Sequence, residues 1–219
     1  MKSFIKIVGL TMAAIFMLAG SAMANSITIT WQDTTVNWPG YKTTPYGDEY
    51  GTPKISSFSL TYDAVTRDLE SIVINMTDRR VWDSLFINND GDGYGNWDFY
   101  VRDNTMDESV PPTNATLSTV AANYQYTFCG ALGRTGHPNG IEAAYLTPVS
   151  GLLASLIWDS TANTLTYTFN DGIVLGQSFQ IGYTPWCAND VILTPEPGIL
   201  MLLGFGILGL AGFRRRVKK

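Results

Sequence analysis

From Ser26 onward, apolar and polar residues alternate over short stretches with a period of two. That period belongs to strands; a helix would repeat every ~3.6 residues. Ile27-Thr28-Ile29-Thr30-Trp31 places β-branched and aromatic side chains on alternate positions. Residues 55–62 and 69–76 alternate in the same way on either side of Asp63-Ala64-Val65-Thr66-Arg67-Asp68, a polar turn. Residues 153–158 and 164–169 form a second such pair around Asp159-Ser160-Thr161-Ala162-Asn163. Further strands are predicted over 80–87, 97–102, 124–128 and 177–183, and no stretch among them holds helical periodicity over ten residues. Residues 103–123 and 130–140 read as long loops, one containing Pro111-Pro112 and the other rich in glycine. Short strands separated by Gly- and Asn-rich turns predict an all-β chain, an antiparallel β-sandwich with jelly-roll-like connectivity over residues 25–193.

The two hairpins look alike. Tyr62-Asp63 and Trp158-Asp159 are each followed, six residues after the Asp, by Leu69 or Leu165. A weak internal repeat and shared turn chemistry both account for this, since Asp at the head of a turn caps backbone N–H groups.

The pattern changes at both ends. Residues 1–24 place Lys2 and Lys6 before an apolar run over 7–18 and finish in Ala22-Met23-Ala24, an A-x-A cleavage site. This is the layout of a secretory signal peptide, and the apolar run falls short of the ~20 residues that span a bilayer. No Cys follows Leu18-Ala19-Gly20, so the lipoprotein pattern is absent. At the other end, Thr194-Pro195-Glu196-Pro197 precedes sixteen uncharged residues, 198–213, and then Arg214-Arg215-Arg216-Val217-Lys218-Lys219. At ~1.5 Å per residue the apolar helix predicted there would reach about 24 Å, against a hydrocarbon core of about 30 Å. Snorkelling arginines and local thinning make up such a difference. The basic tail, 214–219, predicts a transmembrane helix with its C-terminal end cytoplasmic and the preceding domain outside. The prolines stop the helix from running upstream and leave an extended joint.

Pro195, Glu196 and Pro197, followed by a Gly-rich apolar helix and by Arg214, Arg215 and Arg216, resemble the PEP-CTERM sorting domain of Gram-negative bacteria. A plain tail anchor would account for the helix and charges but not for the Pro-Glu-Pro. The resemblance implies that residues 194–219 form a sorting and anchor segment in the inner membrane, processed at the motif by an exosortase. It implies export, with signal peptidase acting at the N-terminal end. The destination would be the periplasm, the cell surface or an extracellular matrix, where members are associated with exopolysaccharide and biofilm. It implies a route and a destination, not an activity.

Charge narrows the partners. The signal and tail hold seven of the fourteen basic residues and one of the nineteen acids, which leaves seven basic and eighteen acidic residues between them, a net charge of −11. Such a domain repels nucleic acid and anionic polymers unless a cation bridges them. Calcium, uncharged glycans and cationic partners fit better. Cys129 and Cys187 both lie in the exported part, and an oxidising compartment predicts a disulfide between them, closing a loop of 57 residues. A cysteine nucleophile is the rival reading, and the single histidine, His137, has no sequence link to either cysteine.

The densest polar cluster runs Asn88-Asn89-Asp90-Gly91-Asp92-Gly93-Tyr94-Gly95-Asn96-Trp97-Asp98. Asp90-x-Asp92-Gly93 repeats the start of a calcium loop, in which alternate oxygens converge while glycine allows the bend. The EF-hand spacing then stops, with no later Glu and a strand in place of the exiting helix. Asn88, Asp90, Asp92 and Asp98 are therefore the candidate calcium ligands of a β-loop site, with Asp83 as a further oxygen. The same residues equally make a plain turn, since Asn, Asp and Gly tolerate positive φ. Trp82-Asp83 and Trp97-Asp98 flank the loop. Trp82, Trp97 and Tyr94 are candidate sugar platforms, on which a ring stacks while carboxylates accept its hydroxyl hydrogens; burial in a β core is the alternative. Trp38 and Trp186, beside Pro39 and Pro185, are the tryptophans placed best for exposure. Arg134, His137 and Glu142 form a second polar group, with a solvated loop as its alternative reading.

The strand around Trp82-Asp83, the Asp-Gly loop, Trp97-Asp98 and the late Cys187-Ala188-Asn189-Asp190-Val191-Ile192 also resemble a pattern in PEP-CTERM ectodomains, which carries no assigned activity. No Gly-x-Ser-x-Gly, His-Glu-x-x-His, phosphate loop or dinucleotide fingerprint is present. The expectation is a non-enzymatic, envelope-anchored surface or matrix protein that binds an extracellular polysaccharide with calcium. A purely structural matrix protein and a polysaccharide hydrolase with two facing carboxyls are the alternatives.

Overall fold

The computed structural model describes residues 26–34, 38, 54–78, 83–92, 95–103, 115–128, 138–185 and 190–194. Within them every regular element is a strand, apart from a single 3-10 turn at Ala143–Tyr145. The expected signal peptide (1–24), the apolar helix (198–213) and the basic tail lie outside the described residues, as do Cys129, Cys187, Trp82, Tyr94, Arg134, His137 and Trp186. No helix among the described residues is long and apolar enough to cross a membrane.

One antiparallel sheet has five strands, in the order β1 (Ser26–Gln32), β2 (Ile55–Asp63), β3 (Leu69–Met76), β11 (Thr164–Phe169), β10 (Leu153–Asp159). The second has six: β13 (Ile192–Leu193), β12 (Gln180–Thr184), β4 (Ser84–Asn88), β5 (Phe99–Asp103), β6 (Ala115–Val120), β9 (Leu146–Pro148). A two-stranded ribbon, β7 (Tyr126–Phe128) with β8 (Pro138–Ile141), completes the strands. The chain passes from the first sheet to the second between β3 and β4 and again between β11 and β12; β3 pairs antiparallel with β11 and β4 with β12. Elsewhere β1-β2-β3 and β4-β5-β6 follow chain order.

The two sheets share one core. Phe58, Leu60, Ile72, Ile74, Leu165 and Tyr167 from the first meet Leu85, Ile87, Val101, Leu117, Ile181 and Tyr183 from the second. These are the inward positions that alternation predicts for β2, β3 and β11, and burying each such side chain contributes about 1.5–3 kcal/mol.

The two hairpins share a turn chemistry in detail. Asp63 Oδ1 accepts the N–H groups of Val65 and Thr66 at 2.7 Å each, and Asp159 Oδ1 accepts those of Thr161 and Ala162 at 2.8 and 3.0 Å. Four residues after each Asp the chain turns through positive φ, 64° at Arg67 and 55° at Asn163. These hydrogen bonds, from Thr66 then Val65 and from Ala162 then Thr161, hold both carboxyls below their ordinary pKa.

Two strands fall inside segments expected to be loops. β6 pairs with β5, and β8 with β7. Neither carries enough apolar residues to signal a strand alone; their neighbours supply the pairing. Pro138 stands at the first position of its strand, where a missing N–H costs least.

Candidate functional site

The Asn88–Asp98 loop joins β4 to β5 at one end of the six-stranded sheet. Three of its polar side chains turn onto its own backbone. Asn88 Oδ1 accepts the Gly91 N–H at 2.6 Å, Asp90 Oδ1 the Asp92 N–H at 3.0 Å, and Asp98 Oδ2 the Asn89 N–H at 2.8 Å. Gly91, at φ 71°, packs so tightly that a Cβ there would lie 2.0 Å from the Ser178 carbonyl oxygen. Burial pushes the Asp98 carboxyl above its ordinary pKa, against the Asn89 N–H, and the charges of Asp90 and Asp92 push it further.

This geometry bears on the candidate calcium ligands. Among the described residues no group of three or more His, Cys, Asp or Glu side chains is placed to hold a metal ion. Asn88, Asp90 and Asp98 each direct one oxygen at a backbone amide. Asp83 sits five residues before Asn88 along the strand direction, about 17 Å at ~3.4 Å per residue. It is buried and accepts the Tyr183 hydroxyl, so it does not complete a shell in this loop.

Two of the aromatic candidates are buried. Trp97 is 3% exposed and Trp38 only 1%. Trp38 stacks obliquely on Phe86 at 5.1 Å and Trp97 at 5.6 Å, and Trp97 lies 5.4 Å from Phe86. The Trp97 indole N–H donates to the Tyr126 hydroxyl at 2.7 Å, which buries the ring's one polar atom with a partner. With Tyr100, Ile141, Val191 and Leu193 these rings form a second core on the outer side of the six-stranded sheet. Gly182 makes room for Trp38: a Cβ on it would come within 2.5 Å of the indole. Neither Trp97 nor Trp38 is therefore a platform for a sugar. Pro39 beside Trp38 suggested an exposed loop, whereas the bare backbone of Gly182 provides its pocket.

Sequence reading missed two features. One is the set of buried acids. Asp190 Oδ2 accepts the Ile55 N–H at 2.5 Å, tying the end of the chain to β2 in the other sheet. The other is the outer face of the five-stranded sheet. Registers across all five strands align three rows: Thr28-Thr61-Ser71-Thr168-Ser155, Thr30-Ser59-Val73-Thr166-Ile157, and Gln32-Ser57-Asn75-Thr164-Asp159. Ser or Thr at nearly every outward position of β1, β2 and β11 was a visible signal.

Thr194, the last described residue, lies at the same end of the sheet as the acidic loop. Leu193 pairs with Gly182 in β12, and Gln180 at the start of β12 pairs with Asn88. Thr194 closes the contact twice: its N–H donates to the Ile181 carbonyl and its hydroxyl accepts the Ile181 N–H, both at 2.9 Å.

Residues 193–216 match the family described as the PEP-CTERM protein-sorting motif. No curated protein and no solved structure matches the chain, so the resemblance of the ectodomain to other PEP-CTERM ectodomains gains no support. The chain carries a PEP-CTERM sorting motif whose match begins in the last strand among the described residues, and the motif implies export, membrane anchoring and processing by an exosortase.

Proposed function

We propose that this chain displays a non-enzymatic antiparallel β-sandwich at the outside of the cell envelope, as a surface or matrix protein whose location is set by its sorting motif. The observation that supports this most is the joint between domain and motif. Leu193 and Thr194, the first two residues of the motif match, are 7% and 2% exposed and hydrogen-bonded into the sheet. A domain joined this closely to its sorting segment is built to be held close to whatever holds that segment.

The non-enzymatic part of the reading draws on how the described acids are employed. Asp83, Asp98 and Asp190 accept hydrogen bonds that hold strands and loops together. Asp63 and Asp159 cap turns. A disulfide between Cys129 and Cys187 would suit the oxidising compartment that the route implies.

The test follows the full-length chain and a Pro195→Ala/Glu196→Ala/Pro197→Ala variant in a host with an exosortase and in one without. We expect the wild type to be processed and surface-exposed only in the exosortase host, with both thiols blocked to alkylation. The variant should remain unprocessed in the membrane. Intact protein with free thiols in the cytoplasm would overturn the proposal.

A further inference from the structure

The three rows across the five-stranded sheet carry ten Ser or Thr residues among fifteen positions, and Asp159 is their one charge. The segment as a whole holds eighteen acids and a net charge of −11. The row residues are exposed or half-exposed. Several of the hydroxyls are already oriented: Thr28 and Thr61 hydrogen-bond through their Oγ1 atoms at 2.9 Å, Thr30 Oγ1 and Ser59 Oγ at 2.8 Å, and Asn75 Nδ2 donates to Ser57 Oγ at 2.8 Å. A hydroxyl pair uses one O–H hydrogen internally, so the second hydrogen and most lone pairs still point to an outside partner.

The chemistry of the face restricts what that partner is. The net charge repels nucleic acid and polyanions. The rows hold no Trp, Tyr, Arg or Met, the residues that anchor protein interfaces. With strands ~4.8 Å apart and alternate residues ~6.8 Å apart, the rows cover about 19 by 14 Å, roughly 270 Å². A stable dimer needs about 800 Å² from each copy. A membrane would require a contiguous apolar patch, and here Val73 and Ile157 stand singly among hydroxyls. What remains is an uncharged polymer that offers hydroxyls for the Oγ atoms and C–H faces for the threonine methyls, Val73 and Ile157.

We infer that the hydroxyl rows of the five-stranded sheet bind an uncharged polysaccharide laid across the strands. The site is separate from the Asn88–Asp98 loop and needs no metal. The inference deepens the display reading, on which it rests only for the face being outside the cell. Binding by purified protein tests it independently of location.

The probe is insoluble cellulose, with soluble dextran as a second uncharged glucan and alginate as the anionic control. Full-length protein in a polyoxyethylene detergent, which carries no sugar headgroup, is mixed with each and the unbound fraction measured. We expect retention by at least one glucan at physiological salt, none by alginate, and at least a tenfold loss in Thr166→Glu. The triple variant Thr61→Val/Thr166→Val/Thr168→Val keeps shape and apolar contact while removing hydroxyls, and should lose a similar amount. Circular dichroism checks that both variants stay folded. Absence of retention on both glucans, retention equal in wild type and both variants, or face-dependent dimers in sedimentation would each overturn the inference.

Discussion

The outer faces of the two sheets solve the same problem in opposite ways. On the six-stranded side, Trp38, Phe86, Trp97 and Tyr100 cover the sheet, so that β4 and β12 are buried on both faces. On the five-stranded side, short hydroxyl side chains face outward and no described element packs over them. A sheet with one wet face reads as alternation, whereas a strand buried on both sides reads as a continuous run. The sequences of β11, TLTYTF, and β4, SLFIN, show the two cases. Burial on both faces falls where the sequence is least periodic. Chemistry able to meet a partner lies where it is most periodic.

Substitutions break this comparison in graded steps. The largest effect is expected from Trp97→Ala, which empties a site between Trp38 and Phe86 and removes the donor to Tyr126. A loss of about 3–5 kcal/mol in chemical unfolding is expected, whereas Thr166→Val on the opposite face should stay within about 0.5 kcal/mol. Equal effects would erase the contrast. Gly182→Ala comes next. The added methyl meets a Trp38 ring that Phe86 and Trp97 hold in place, and overpacking of this kind costs about 1–3 kcal/mol. The same measurement on a Trp38→Leu background should recover part of that loss.

The smallest effect comes from the turns of the five-stranded sheet. Asp63 and Asp159 have depressed carboxyl pKa values in the fold. Their contribution is therefore present above the unfolded value of about 3.9 and fades as pH falls through the folded value. Asp63→Asn/Asp159→Asn should lower the melting temperature slightly at neutral pH and leave it nearly unchanged at the acid end, flattening the profile between them. Asp98 acts in the opposite sense. Its raised pKa in the fold means that native protein binds the proton more readily, so this one group favours folding as pH drops toward 3.9.

Much of the fold was legible because local pattern and burial agreed. The register of Leu69 and Leu165 after their aspartates, the hairpins around them, and the dominance of strands among the described residues all follow from alternation and turn residues. What escaped was set by partners distant in sequence. Ala115–Val120 is a strand because β5 and β9 flank it. Trp38 is buried because position 182, more than a hundred residues away, has no side chain. The loop at Asn88–Asp98 was correctly seen as polar and bent. Its composition did not reveal that the oxygens turn to their own backbone, since a turn and a cation site draw on the same residue types.

The attachment at Thr194 has a mechanical consequence. With the sorting-motif match beginning at Leu193 in β13, a pull that reaches Thr194 loads the Ile181 backbone. The Asp190 carboxylate passes part of that tension to Ile55 in the opposite sheet. Tugging on the tail thus strains both halves of the sandwich together instead of peeling a single edge.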